Sequence, residues 1–207
     1  VFTERELIEK FSLARVQRSG ARFDEKRLLW MNGHFIRQLT LDQLYDRVGG
    51  ASYGDLLAEG FWPDSAAGAD ETYKKQVLLL VQDRLKTLRD VPMMTDYFFA
   101  EPTVDMTLIT GNKQLSKLST DEVATLLKAV SAKLGELETW QPDQIQAVLN
   151  LLLETTGQKP AILFGLTRLA TTWAQFSPQL NDTLALLGKE RVMERLQTSI
   201  ENIGRSN

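Results

Sequence analysis

Along this chain apolar residues return three and four positions apart, and nowhere do they keep up the two-residue alternation that a half-buried strand requires. Val77, Leu78, Leu80, Val81, Leu85, Leu88 and Val91 form one such series, running up to Pro92. Ile145, Val148, Leu149 and Leu152 form another between Pro142 and Gly157. Helix boundaries are marked in the residues themselves. Thr3 with Glu6 and Ser119 with Glu122 are capping boxes, in which hydroxyl and carboxylate satisfy the free amides of a first turn. The Ser119 helix is expected to end near Gly135. A helix is expected from Asp24 carrying Leu28, Leu29, Trp30, Phe35 and Ile36, and a shorter one from Thr40 to Gly49-Gly50. Ser177-Pro178 reads as a cap followed by a first-turn proline, Gly188 as that helix's stop, and 189–204 as the last helix. The fold class is therefore all-α.

Periodicity fails between Gly49 and Gly68, where Gly54, Gly60 and Pro63 also fall. Such a stretch reads as a connection between two helical lobes. The expected division is a first helical domain with its connector over 1–70 and a helical bundle in two parts, 71–157 and 158–207.

Composition removes several function classes. Without cysteine there is no thiolate nucleophile and no cysteine-based metal centre. A single histidine, His34, cannot build a histidine-rich metal site. Neither a Gly-x-x-x-x-Gly-Lys-Ser/Thr nor a Gly-x-Gly-x-x-Gly phosphate loop occurs, and Gly111-Asn-Lys113 is only a turn. Carboxylates are scattered, with none visibly paired or desolvated as a general acid would be. No apolar run reaches the length of a membrane span. A net charge of −3 argues against a chain basic all over, yet the charge is uneven. Lys10, Arg15, Arg18, Arg22, Lys26, Arg27 and Arg37 face only Asp24 and Glu25, whereas from Gln38 to Lys75 anions dominate. A basic face near the start is open to a polyanion or is an ordinary solvated surface.

The segment Phe23-Asp-Glu-Lys-Arg-Leu-Leu-Trp-Met-Asn-Gly-His-Phe-Ile-Arg37 closely resembles the signature that follows the catalytic domain in bacterial-type glutamyl-tRNA synthetases. Val1 to Phe11 is similar to the family's segment just before it. Asp83-Arg-Leu-Lys-Thr-Leu-Arg89 and Tyr97-Phe-Phe99 are similar to a third block, and Leu166-Thr-Arg-Leu-Ala170, Ser177-Pro178 and Leu184-Ala-Leu-Leu-Gly-Lys-Glu190 to a fourth. The blocks come in order and span essentially the whole chain.

The resemblance implies a C-terminal region of a class I glutamate-tRNA ligase: a helical domain contacting the tRNA stem, then an anticodon-binding helical cage. The adenylating domain is expected to precede Val1, so that this chain alone is inactive and holds no cofactor, while the parent enzyme uses ATP and magnesium. The implied partner is tRNA(Glu), with no DNA and no membrane, in a cytoplasmic monomer. An arginine at the place of Arg84 is associated in the family with accepting only glutamate anticodons, since a guanidinium presents fixed donors to a splayed-out cytosine. Arg168, Ser177, Pro178 and Leu180 match positions that receive the anticodon, Leu180 as an apolar platform for a base. Arg27, with Arg22 and Lys26 beside it, would hold phosphates of the tRNA stem or elbow. Trp30 matches a position in the same region but is expected to pack in the core, and His34 falls at a variable position. Thr167 stands where the family has leucine, and Thr171-Thr-Trp-Ala174 where it has a Leu-Thr-Gly turn, which leaves the shape of that loop open. Two other readings remain: the same region of a relaxed enzyme that also charges tRNA(Gln), and a helical interaction module that binds no tRNA.

Overall fold

The computed structural model describes residues 2–16, 20, 22–50 and 60–205; Arg18 and the middle of the Gly49–Gly68 connector lie outside the described residues. Among the described residues there are eleven α-helices and no strand. The first lobe holds α1 (Glu4–Lys10), α2 (Glu25–Gln38) and α3 (Leu41–Val48). The second holds α4 (Glu71–Val81), α5 (Val91–Phe99), α6 (Thr107–Thr110), α7 (Thr120–Gly135), α8 (Pro142–Thr156), α9 (Pro160–Thr172), α10 (Leu180–Leu187) and α11 (Lys189–Gly204).

Local chemistry sets most boundaries where the residues place them. Thr3, Thr40 and Ser119 each accept from the backbone three residues on, within complete capping boxes. Asp24 caps α2 through the Arg27 amide, and Pro142 opens α8. Gly157 ends α8 at φ 66°, a left-handed conformation that glycine adopts without strain.

Two apolar clusters form. The larger unites Val77, Phe98, Leu127, Ile145, Leu149, Leu163, Leu184 and Leu196, with α7 packed on α8, α9 and α11. The smaller joins Ile36, Leu44 and Val48 of the first lobe to Leu78, Val81, Leu85 and Val91. Helix α4 thus supplies both clusters, Val77 to one and Leu78 with Val81 to the other. At roughly 1.5–3 kcal/mol for each fully buried leucine, burial is the main favourable contribution.

Three expectations are corrected. The apolar series from Val77 to Val91 is not one helix: α4 stops at Val81, and a 3-10 turn over Gln82–Arg84 and another over Leu88–Asp90 precede α5. Tertiary hydrogen bonds replace the helical ones. The Gln82 amide donates to Ile36 O and Leu39 O at the end of α2, and the Asp90 carboxylate accepts from the amides of Lys86 and Thr87, both at 2.9 Å. Pro92 then falls in the first turn of α5, where its missing N–H costs nothing. Secondly, α10 begins at Leu180 rather than after Ser177, whose hydroxyl is engaged elsewhere and caps no helix. Thirdly, Trp30 is 58% exposed and does not join the core; α2 buries only Gly33 and Ile36. Its indole stacks instead on His34 one turn on, ring centroids 5.9 Å apart. Leu7 and Ile8 of α1, and Phe11 at its C-cap, are likewise exposed.

Candidate nucleic-acid interface

Arg84 ends the 3-10 turn after α4 and points its exposed side chain outward. Among the described residues that side chain has no hydrogen bond and no carboxylate partner, so it is not the paired helix arginine that its surroundings in sequence allow. Arg168 lies on α9, half-buried, and its Nε donates to Ser177 Oγ at 2.6 Å. The Ser177 hydroxyl in turn donates to Pro178 O at 3.2 Å. Burial, and after it the Arg84 charge, lower the Arg168 pKa from its ordinary value, with Tyr97 acting in the opposite sense. The Arg84 guanidinium, 84 positions away in sequence, thus disfavours the charge on Arg168, and neither side chain has a carboxylate partner among the described residues.

Tyr97 is the third member of this group. Its ring is 3% exposed, packs on Phe98 at 4.6 Å, and burial raises its phenol pKa against the pull of Arg168 and Arg84. The hydroxyl has no hydrogen-bond partner, a cost of roughly 1–3 kcal/mol for a buried polar group.

The loop from Trp173 to Pro178 separates two open clefts. One, of about 340 Å3, is lined by Arg168, Gly165, Asn112, Thr107 and Gln175. The other, of about 830 Å3, is lined by Tyr97, Met93, Val104, Trp173 and Phe176. Both fall within the size of ordinary ligand pockets. Leu180 is only 5% exposed and belongs to the larger core; Ser177 and Pro178 are buried too. The loop's accessible groups are instead Gln175 and Phe176.

The loop is fixed from behind. Trp173 takes φ 43°, ψ 37°, a left-handed conformation. A non-glycine residue pays on the order of 1–2 kcal/mol there. Its indole N–H donates to Ser199 Oγ at 3.1 Å, and Ser199 Oγ donates to Ala170 O at 2.8 Å. Arg195, 4% exposed, donates to Thr171 O, Ala100 O and both Glu101 oxygens. That guanidinium lowers the Glu101 pKa from its ordinary value of 4.5. Thr167 fills its leucine-like place by turning its hydroxyl onto Leu163 O at 2.8 Å.

In the first lobe Lys26, Leu29, Trp30, Gly33, Arg37 and Lys86 line a groove of about 290 Å3 between α2 and the Arg84 loop. Arg22 and Arg27 are exposed but do not line it. The structure thus collects Lys26 and Trp30 from the expected set and adds Arg37 and Lys86. The last two were not legible from residue type, because only the 46-residue contact between α2 and the loop, as in Arg37 with Asp83 O, brings them together. Among the described residues no three His, Cys, Asp or Glu side chains are placed to hold a metal. Among the same residues no helix is long and apolar enough to cross a membrane.

Comparison with known proteins gives the geometry a context. A family model described as an anticodon binding domain matches residues 51–200. The glutamate-tRNA ligase of Roseiflexus sp. is 37% identical over 199 residues, covering 96% of this chain and 38% of that protein. That of Roseiflexus castenholzii is also 37% identical, covering 97% and 38%. The chain therefore spans well under half the length of these relatives. A solved glutamate tRNA ligase from Elizabethkingia meningosepticum, crystallised with its amino acid, superposes with a TM-score of 0.69 at 18% identity, over 96% of this chain and 36% of that one. It bears out the all-α fold.

Proposed function

Since this chain belongs to the anticodon-binding-domain family and is similar over nearly its whole length to glutamate-tRNA ligases, we propose that it reads the anticodon of tRNA(Glu) for such a ligase. The observation that carries the reading is the pair of Arg168, held by Ser177 on the wall of a cleft of about 340 Å3, and Arg84, exposed on the turn after α4, neither with a carboxylate partner among the described residues. An RNA strand supplies what that pair lacks: phosphate charge and the acceptor edges of unstacked bases. Arg168, held by Ser177, meets a base or phosphate from a fixed position, while Arg84 selects the third anticodon base. Pro178 and Leu180 shape the loop from its buried side and Trp30 offers an indole to the strand. Lys26 supplies a phosphate contact from the groove, and Arg22 and Arg27 extend the basic surface.

The ligase activity belongs to the longer polypeptide, which would work in the cytoplasm as a monomer. ATP and magnesium would be used by that longer polypeptide. The test is Arg84→Gln in the full-length protein, with binding measured for tRNA(Glu) and for the same tRNA with its third anticodon base changed. A single good base contact discriminates by about ten- to hundredfold, so preference for the native base should fall by that order. An unchanged preference rejects this role for Arg84 and leaves a relaxed reader. Absence of any salt-sensitive tRNA binding rejects the function as a whole.

A further inference from the structure

Among the described residues the Arg84 side chain makes no hydrogen bond; the turn that displays it is located by its neighbours' backbone. Asn32 Nδ2 donates to Lys86 O across 54 positions of sequence. Arg37 Nη1 reaches Asp83 O at 3.5 Å, and Gln82 closes the same contact from the other side. Between Asn32 and Arg37 sits Gly33, buried in the middle of α2. A Cβ there would lie 3.0 Å from Leu85 O and 3.5 Å from the Lys86 Cα. Glycine inside a helix costs roughly 0.5–1 kcal/mol relative to alanine. Here it lets the turn approach α2 more closely than most side chains would allow.

We infer that Asn32 and Gly33 are positioning residues for anticodon specificity: they set where the Arg84 guanidinium stands by holding the backbone at Leu85 and Lys86. The inference rests on the reading of Arg84 given above. The Asn32 amide is the donor, so aspartate, of the same shape but without an N–H, cannot replace it. Alanine at 33 must push the Leu85 carbonyl away by a few tenths of an ångström. Either change displaces Arg84 from its base.

The experiment measures binding of the full-length protein to tRNA(Glu) and to the same tRNA altered at the third anticodon base. Asn32→Ala, Asn32→Asp and Gly33→Ala are made singly and in an Arg84→Ala background. Each single change should lower the preference for the native base by roughly three- to tenfold, the range that residues outside a site exert on it. In the Arg84→Ala background the same changes should have no further effect on that preference. A packing role alone would spare Asn32→Asp and act equally on both tRNAs. If Arg84→Ala abolishes the preference while the Asn32 and Gly33 variants keep it, the positioning role is wrong and the Arg84 reading stands. If Arg84→Ala keeps the preference, the Arg84 reading and the positioning role fall together.

Discussion

The two lobes hold their binding groups in opposite ways. In the second, Arg168 is half-buried and bonded to Ser177, and the loop beside it is anchored by Arg195, Ser199 and the left-handed Trp173. In the first, Lys26 and Arg27 are exposed, without a carboxylate partner among the described residues, on a helix that buries only Gly33 and Ile36. Fixed donors discriminate between base edges, because a displaced edge leaves a desolvated group unpaired. Cations on a loosely held surface neutralise phosphate alike for every sequence; Arg84, exposed as they are, differs in sitting on a turn whose backbone is hydrogen-bonded to α2. On the proposed reading, the difference gives selection to the second lobe and orientation to the first.

Removing Arg195 should separate the lobes most sharply. Arg195→Ala strips Thr171 O and Ala100 O of their buried donor and should cost about 3 kcal/mol of stability, read as a fall in the urea midpoint. A loss below about 1 kcal/mol would mean that the second lobe is not held by this network. Lys26→Ala should leave the fold intact, weaken all tRNAs equally and reduce the slope of log affinity against log salt by about one. A changed preference between anticodons would break the division of labour.

Tyr97→Phe deletes an unpartnered buried hydroxyl and should raise stability by up to about 1 kcal/mol, visible in thermal unfolding, with tRNA affinity unchanged. Lost affinity would assign that hydroxyl to the ligand. The smallest effect concerns Glu101. Its pKa is lowered in the folded state, so its stabilisation is complete above 4.5 and disappears as pH falls through the lower folded value. Glu101→Gln should remove that part of the acid dependence of unfolding; an unaltered acid limb would show that the pair with Arg195 contributes nothing.

Much of this fold was legible because helix punctuation is local: Thr3, Thr40, Ser119, Pro142 and Gly157 act within four residues of themselves. What stayed hidden depended on partners far along the chain. The series from Val77 to Val91 looked continuous because nothing in it reveals that Ile36 and Leu39 carbonyls capture Gln82. Ser177 read as a cap because Arg168, nine positions away, was not yet its partner. Trp30 looked like core by its size, yet the neighbour across α2 reaches only Gly33 and Ile36. Of the site, Arg84 and Arg168 could be picked out one by one, but not their closeness or the missing counter-charge. Tyr97 was visible as part of a block and not as an orphaned hydroxyl, and Trp173 as a departure from a glycine turn and not as a strained one.

Helix α4 carries one further consequence. With Val77 in one apolar cluster and Leu78 and Val81 in the other, all three 0% exposed, neither cluster can open without stripping the helix that completes its neighbour. The lobes are therefore expected to melt as one cooperative unit, and a disturbance in either to be felt by the protein as a whole.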